Sequence, residues 1–175
     1  MSFHLAVDVH YFSDGRAAAA GIAFADWRTD VIARTEVVRL GSAQPYVPGQ
    51  FYKRELPYLL ELMDRFRMVP ATIVIDGYVT LGVDQRGGLG ARLFSALHGQ
   101  VPVIGVAKSR FVGTPAETEV LRGKSKRPLY VTSRGMALEN AKSLIRDMHG
   151  VNRLPTLLIA VDRACRGLEP MSSPE

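Results

Sequence analysis

Hydrophobic and polar residues alternate with period two over the first forty positions. From Phe3 to Phe12, Leu5, Val7 and Val9 alternate with Ala6, Asp8 and His10, which predicts a strand. Ser13-Asp14-Gly15-Arg16 reads as a turn, and the small apolar run Ala17 to Ala25 as a closely packed second strand. Thr29-Asp30 marks another turn, and Val31 to Leu40 alternates again. Three strands joined by short turns imply an antiparallel meander. The period then changes. Gly41 to Phe51 carries Pro45, Pro48 and Gly49 and reads as a loop. From Lys53, the spacing of Leu56, Leu59, Leu60, Leu62, Met63 and Phe66 is helical, with Pro57 expected in the first turn. Ala71 to Ile75 is a continuous apolar run ending at Asp76-Gly77, the pattern of a buried parallel strand.

A helix is expected over Leu89 to Leu97 and a second buried strand over Val101 to Ala107, ending at Lys108. The polar, basic stretch Arg110 to Arg127 reads as a loop or small hairpin, and Leu129 to Thr132 as a short strand. Ala137 to Met148 places Leu138, Ala141, Leu144, Ile145 and Met148 on one helical face, with Gly150 as its C-cap. Pro155 opens a last helix, Thr156 to Arg166, and the tail from Glu169 is expected to be disordered. A meander followed by alternating strands and helices predicts an α/β domain with a mixed central sheet and flanking helices.

Composition narrows the class. A chain of 175 residues that is 47% hydrophobic and 22% charged suits one soluble domain, taken as residues 1–168 with 169–175 as a tail. The single cysteine, Cys165, excludes an internal disulfide and a cysteine-cluster zinc site, and fits a cytoplasmic setting. No apolar run is long enough to form a signal-peptide core or to cross a bilayer, so no membrane partner is expected. The net charge of +5 favours polyanionic partners. The absence of a spare apolar stripe points to a monomer.

The chemistry gathers around acids. Asp8 interrupts the most hydrophobic part of the first strand, where a carboxylate costs free energy unless compensated. Asp76 ends a buried strand, and the C-terminal ends of parallel strands are where open α/β sheets place their sites. Two such carboxylates brought together repel unless one is protonated or a cation lies between them; Mg²⁺ or Mn²⁺, which prefer oxygen ligands, are the natural cations. Taken singly, each residue has an ordinary alternative. Asp76 could cap a helix or form a turn, Asp8 could face solvent, Glu55 could serve a helix dipole, and Lys108 could be a solvated loop lysine.

The local words favour the functional reading. Pro45-Tyr46-Val47-Pro48-Gly49 followed by Arg54-Glu55 resembles the PYxPG…RE signature of the endonuclease V family. Ala6-Val7-Asp8-Val9, Val74-Ile75-Asp76-Gly77, Val103-Ile104-Gly105-Val106-Ala107-Lys108-Ser109, Pro128-Leu129-Tyr130-Val131 and Arg153-Leu154-Pro155 resemble further family words, in family order, over residues 5 to 165. The resemblance implies a ribonuclease-H-like fold and a Mg²⁺-dependent endonuclease, with Mn²⁺ as a substitute. Such an enzyme nicks DNA on the 3′ side of deaminated adenine, and some members act on inosine in RNA. It assigns Asp8, Glu55 and Asp76 as catalytic metal ligands, Lys108 as the active-site lysine, and Asp162 as a further candidate ligand. Tyr46 would be the tip of a strand-separating wedge, on a loop that also contains Pro48 and Gly49. Gly77, Arg86, Gly87 and Gly88 would lie against the lesion base and Ser109 against the strand. Arg110, Arg122, Lys124, Lys126, Arg127 and Arg134 form a candidate phosphate track.

Two words depart from the pattern. After Asp-Gly the family reads HG…HPRR, whereas here Tyr78-Val79 follows and Arg86 is what remains of the second part. The later SxGH word becomes Ser133-Arg134-Gly135-Met136. The four histidines, His4, His10, His98 and His149, fall at none of the family's histidine places and read as surface or edge residues. Three readings follow: a deoxyinosine-directed nuclease, a nuclease of the same fold with a different or relaxed DNA or RNA substrate, and a non-catalytic nucleic-acid-binding module.

Overall fold

The computed structural model describes residues 2–41 and 51–168. The expectations for Tyr46, Pro48, Gly49 and the tail from Glu169 lie outside the described residues. Three strands open the chain, β1 (His4–Tyr11), β2 (Ala17–Phe24) and β3 (Arg34–Leu40). They form the expected meander, since β2 pairs antiparallel with both β1 and β3. Helix α1 (Phe51–Phe66) leads to β4 (Thr72–Asp76), which pairs parallel with β1. A two-stranded hairpin, β5 (Thr80–Leu81) and β6 (Arg86–Gly87), precedes α2 (Leu89–Ala96) and β7 (Val103–Ala107), the latter parallel to β4. A 3-10 turn, Ala116–Thr118, runs into β8 (Glu119–Val120), which pairs with β9 (Leu129–Arg134). Helices α3 (Leu138–Asp147) and α4 (Thr156–Cys165) complete the described chain. The seven-stranded sheet has the order β3-β2-β1-β4-β7-β9-β8.

The period-two pattern of β1 sorts the molecule into two cores. Leu5 and Val7 join Leu59, Leu62 and Phe66 of α1 and Leu93 of α2 on one face. Ala6 joins Ala141 and Ile145 of α3 and Leu157, Ala160 and Val161 of α4 on the other. The run of small residues in β2 permits close helix packing; a Cβ on Gly21 would stand 2.8 Å from the Phe66 ring. Among the described residues, no helix is long and apolar enough to cross a membrane.

Several local expectations are corrected. β3 begins three residues later than the alternation suggested, at Arg34. Helix α1 starts at Phe51, so Pro57 is interior rather than in the first turn. A proline there leaves the Lys53 carbonyl without its helical donor. Both residues are exposed, where water can satisfy that carbonyl, and the apolar face opposite holds the helix. The C-cap of α3 is Met148; Gly150, at φ +113°, turns the chain two residues further on. The 110–127 stretch is neither plain loop nor isolated hairpin, because β8 extends the main sheet through β9. His4 is a half-buried residue rather than a surface one, packed against Trp27 with ring centroids 4.7 Å apart.

Candidate active site

The parallel register brings Asp8 and Asp76 side by side at the end of the β1–β4 ladder, in the middle of the sheet. Val7 pairs with Ile75, so the next residue on each strand is an aspartate, and β4 lies directly beside β1. Asp8, Asp76 and Lys108 line one small pocket together with Val7, Leu154 and Leu158. The carboxyl groups therefore face a common space rather than opposite directions. Lys108, one residue past the end of β7, extends its Nζ to 2.7 Å from Asp76 Oδ2. It is paired with an acid and not a solvated loop lysine.

Helices on opposite faces of the sheet add two further acids. Glu55 comes from α1, where it is only 6% exposed. Burial at the fifth helical position replaces the solvent-facing dipole role open to it from sequence. The Tyr11 hydroxyl lies near enough to the Glu55 carboxyl to influence its ionisation. Arg54 lies over the Tyr11 ring, 3.8 Å from its centroid. Asp162 comes from α4. One carboxylate oxygen each of Asp8 and Asp162 and the Cys165 sulfur lie within 4.8 Å of one another. Arg166 balances Asp162 from one turn further along α4 at 3.1 Å.

The acids raise one another's pKa. Burial first, then the Asp76 charge, push Asp8 up to about 7, while Lys108 and the Val9 N–H oppose the shift. Burial, then the Asp8 charge, push Glu55 up to about 8 against the opposing influence of the Tyr11 hydroxyl. Lys108 is raised as well, which in its case favours the charged form: burial disfavours its ammonium, but the hydrogen bond and charge of Asp76 prevail. Burial, then the charges of Asp8 and Asp162, drive the Cys165 thiol upward. The sulfur stays protonated, with Sγ 3.0 Å from the Asp162 carbonyl it donates to. The donors offered to a cation are thus carboxylate oxygens, a set suited to a hard divalent ion. Repulsion among buried acids is what such an ion relieves.

The remaining candidates divide. Gly77 has φ +121° and open space where a Cβ would stand, leaving its backbone accessible beside Asp76. Gly88 serves the protein itself, since a Cβ there would lie 2.7 Å from the Tyr78 carbonyl. Arg86 and Gly87 are exposed on β6. Ser109, Arg110, Lys124, Lys126 and Arg127 are exposed after Lys108 or in the turn before β9. Arg122 does not belong to a phosphate track. It is 5% exposed, and its guanidinium donates to the carbonyls of Arg146, Met148, Gly150, Asn152 and Arg153. Arg134 pairs with Val103, whereas Tyr130 pairs with Ala107 beside Lys108. Four strand rises, roughly 13 Å, separate those ends, so Arg134 lies away from the site.

Tyr78 and Tyr11 carry roles that sequence alone did not suggest. The Tyr78 hydroxyl donates to the Ser109 carbonyl at 2.8 Å and accepts from the Phe111 N–H at 3.1 Å, tying the segment after β4 to the loop after Lys108. The Tyr-for-His exchange after Asp-Gly was visible, but not the partner loop. For Tyr11 no sequence signal existed beyond its place on the same strand face as Val7 and Val9.

The sequence profile of the endonuclease V family matches residues 2–154. The chain belongs to the endonuclease V family. Endonuclease V of Xylella fastidiosa is 35% identical over 106 residues, 61% of this chain and 43% of that protein. Endonuclease V of Nostoc punctiforme is 33% identical over 127 residues, 71% of this chain and 55% of that protein. The chain thus spans about half the length of these curated relatives. The Streptomyces avermitilis endonuclease V structure superposes with a TM-score of 0.73 at 26% identity, covering 95% of this chain and 81% of that one. Human ENDOV does so at 0.76 and 24% identity, covering 95% and 84%. A Ciona intestinalis endonuclease V solved with inosine-containing DNA gives 0.75 at 15% identity, covering 95% and 85%. The fold is the ribonuclease-H-like arrangement expected from the sequence: a meander, then parallel strands, with helices on both faces.

Proposed function

We propose that this endonuclease V family member is a divalent-metal-dependent endonuclease that hydrolyses a phosphodiester in DNA. The observation that carries the reading is that Asp8, Asp76 and Lys108 line one pocket, with the buried Glu55 near enough for its charge and that of Asp8 to repel. Asp8, Asp76 and Glu55 would hold Mg²⁺, or Mn²⁺ in its place, with Asp162 as a further oxygen donor. Such an ion supplies Lewis-acid polarisation of a phosphate and offsets its charge. Lys108 presents its ammonium beside that position, where it stabilises charge growing on phosphate oxygens in the transition state. Arg166 orients Asp162 through two contacts from its guanidinium, and the Tyr11 hydroxyl partly opposes the rise in the Glu55 pKa.

The substrate reading is deoxyinosine in DNA, cut on the 3′ side as a repair step. It is supported by family membership and by the inosine-containing DNA in the Ciona structure. The wedge role of Tyr46, Pro48 and Gly49 rests on their sequence word alone. The open backbone at Gly77 suits an approaching base, and the exposed Ser109, Arg110, Lys124 and Lys126 suit the phosphate backbone. The protein is read as a cytoplasmic monomer.

A second reading, a same-fold nuclease with relaxed DNA or RNA specificity, is favoured by Tyr78. At the place of the family's first histidine stands a side chain whose hydroxyl is committed to Ser109 and Phe111 rather than to a base. A pocket that loses hydrogen-bonding groups loses discrimination. The test is nicking of labelled single- and double-stranded DNA and RNA, with and without one inosine, in Mg²⁺ and in Mn²⁺. The first reading expects cutting confined to inosine strands. Equal cutting of both establishes the second, and binding without cutting in either metal leaves only a nucleic-acid-binding module.

A further inference from the structure

We infer that Arg153 is a positioning residue for the Lys108–Asp76 pair, an inference that rests on the nuclease reading above. The β7–β9 ladder ends at the Ala107–Tyr130 pair, one residue short of Lys108. It cannot continue through Pro128, which has no N–H to donate. The Arg153 guanidinium takes over where the backbone stops. It donates to the carbonyls of Lys108 and Pro128 through one amino group and to that of Arg127 through Nε, the last two at 2.8 and 3.0 Å. One planar fork thus joins the residue bearing the active-site ammonium to the base of the turn bearing Lys124 and Lys126.

The fork is itself anchored. The buried Arg122 guanidinium donates to the Arg153 carbonyl at 3.3 Å and to the Asn152 carbonyl at 2.9 Å. Leu154, next in the chain, lines the pocket shared by Asp8, Asp76 and Lys108. Arg153 therefore fixes the end of β7 against both the phosphate-facing turn and the approach to α4, which carries Asp162. Three acceptors in a fork suit guanidinium, whereas a lysine ammonium at the same place is a point donor on a flexible stem. Lys108 has a long side chain of its own, and a shift at its carbonyl is carried to the Nζ that meets Asp76. Misplacement on the scale of an ångström costs a positioned group much of its rate advantage.

The test is a double-mutant cycle of Arg153→Ala with Lys108→Ala, read by single-turnover nicking and by DNA affinity with Ca²⁺ in place of Mg²⁺. Arg153→Ala slows nicking by about 30- to 100-fold while affinity changes less than about threefold. Arg153→Lys does not restore the rate, and methylguanidinium added to Arg153→Ala restores part of it. The double variant is no slower than Lys108→Ala alone. Multiplicative losses, or a loss confined to affinity, overturn the inference. Should Arg153→Ala fail to fold, Arg153→Lys enters the cycle in its place. A second readout needs no activity: the Lys108 ¹⁵Nζ resonance, assigned by its disappearance in Lys108→Ala, shifts in the Arg153 variant and stays in place in Lys124→Glu. An unmoved resonance overturns the inference even if nicking falls. Failure of the wild type to cut any substrate overturns the nuclease reading instead and leaves this spectrum to decide on Arg153.

Discussion

Lys108 Nζ and Asp76 Oδ2 lie 2.7 Å apart across the ends of two parallel strands, and both side chains are about one-third exposed, at 38% and 33%. An ion pair that open contributes little to stability, because water screens it and two side chains must be ordered to form it. Its placement at the mouth of an acidic pocket gives it a chemical role instead. Lys108→Ala is expected to lower single-turnover nicking by about 100- to 1,000-fold and to leave the urea midpoint of unfolding almost unchanged. A large fall in that midpoint would make Lys108 a structural residue.

Asp8 and Glu55 make a prediction about pH. Their folded pKa values, about 7 and about 8, lie above the ordinary carboxylate range. Groups shifted in that direction favour the folded state at low pH, and their contribution is lost as pH rises through the folded values. In EDTA, the part of stability due to these acids should therefore fall between about pH 4 and pH 8. Asp8→Asn should stabilise the metal-free protein at pH 8 by on the order of 1 to 3 kcal/mol while abolishing cutting. Mg²⁺ should raise wild-type stability at pH 8 and not that of the variant. Urea unfolding across the pH range, with and without metal, checks each statement.

Arg122 separates structure from binding. Its buried guanidinium satisfies five backbone carbonyls, at the end of α3 and in the segment leading to α4. Removing the donors leaves those carbonyls to find new partners. Arg122→Ala should cost about 2 to 4 kcal/mol in urea unfolding, and the folded fraction should bind DNA with an unchanged salt slope.

Lys124 and Lys126 should behave in the opposite way. Both are exposed in the turn before β9. Lys124→Glu with Lys126→Glu should leave the unfolding midpoint nearly unaltered and weaken DNA binding, with the slope of log affinity against log salt reduced by about 2. Fluorescence anisotropy at several salt concentrations measures both effects, and an unchanged slope would place the phosphate track elsewhere.

The fold was legible where a residue's environment repeats along the chain. The period-two pattern of β1 and the apolar runs of β4 and β7 led to the observed sheet, and the helical face from Leu138 to Met148 emerged as read. Asp8 stood out because a charge amid Leu5, Val7 and Val9 needs a reason, and Asp76 because a buried strand ended on it. Contacts made by single side chains over long separations left no such trace. Arg122 looks like any other cation in a basic stretch, and only its burial against the segment after α3 makes it structural. Pro57 signalled a helix start because its tolerance depends on facing solvent, which spacing alone did not reveal. Tyr78 and Arg153 act on loops 31 and 45 residues away, and no local word encodes those partners.

In the proposed mechanism Asp8, Glu55 and Asp76 hold one divalent cation between them. The most direct measurement is Mn²⁺ binding, read from the free-ion electron paramagnetic resonance signal at pH 8, for the wild type, Asp8→Ala and Asp76→Ala. The wild type should remove free Mn²⁺ from solution in a saturable way, and both variants should fail to do so at the same concentrations. Equal uptake by all three proteins would contradict the account.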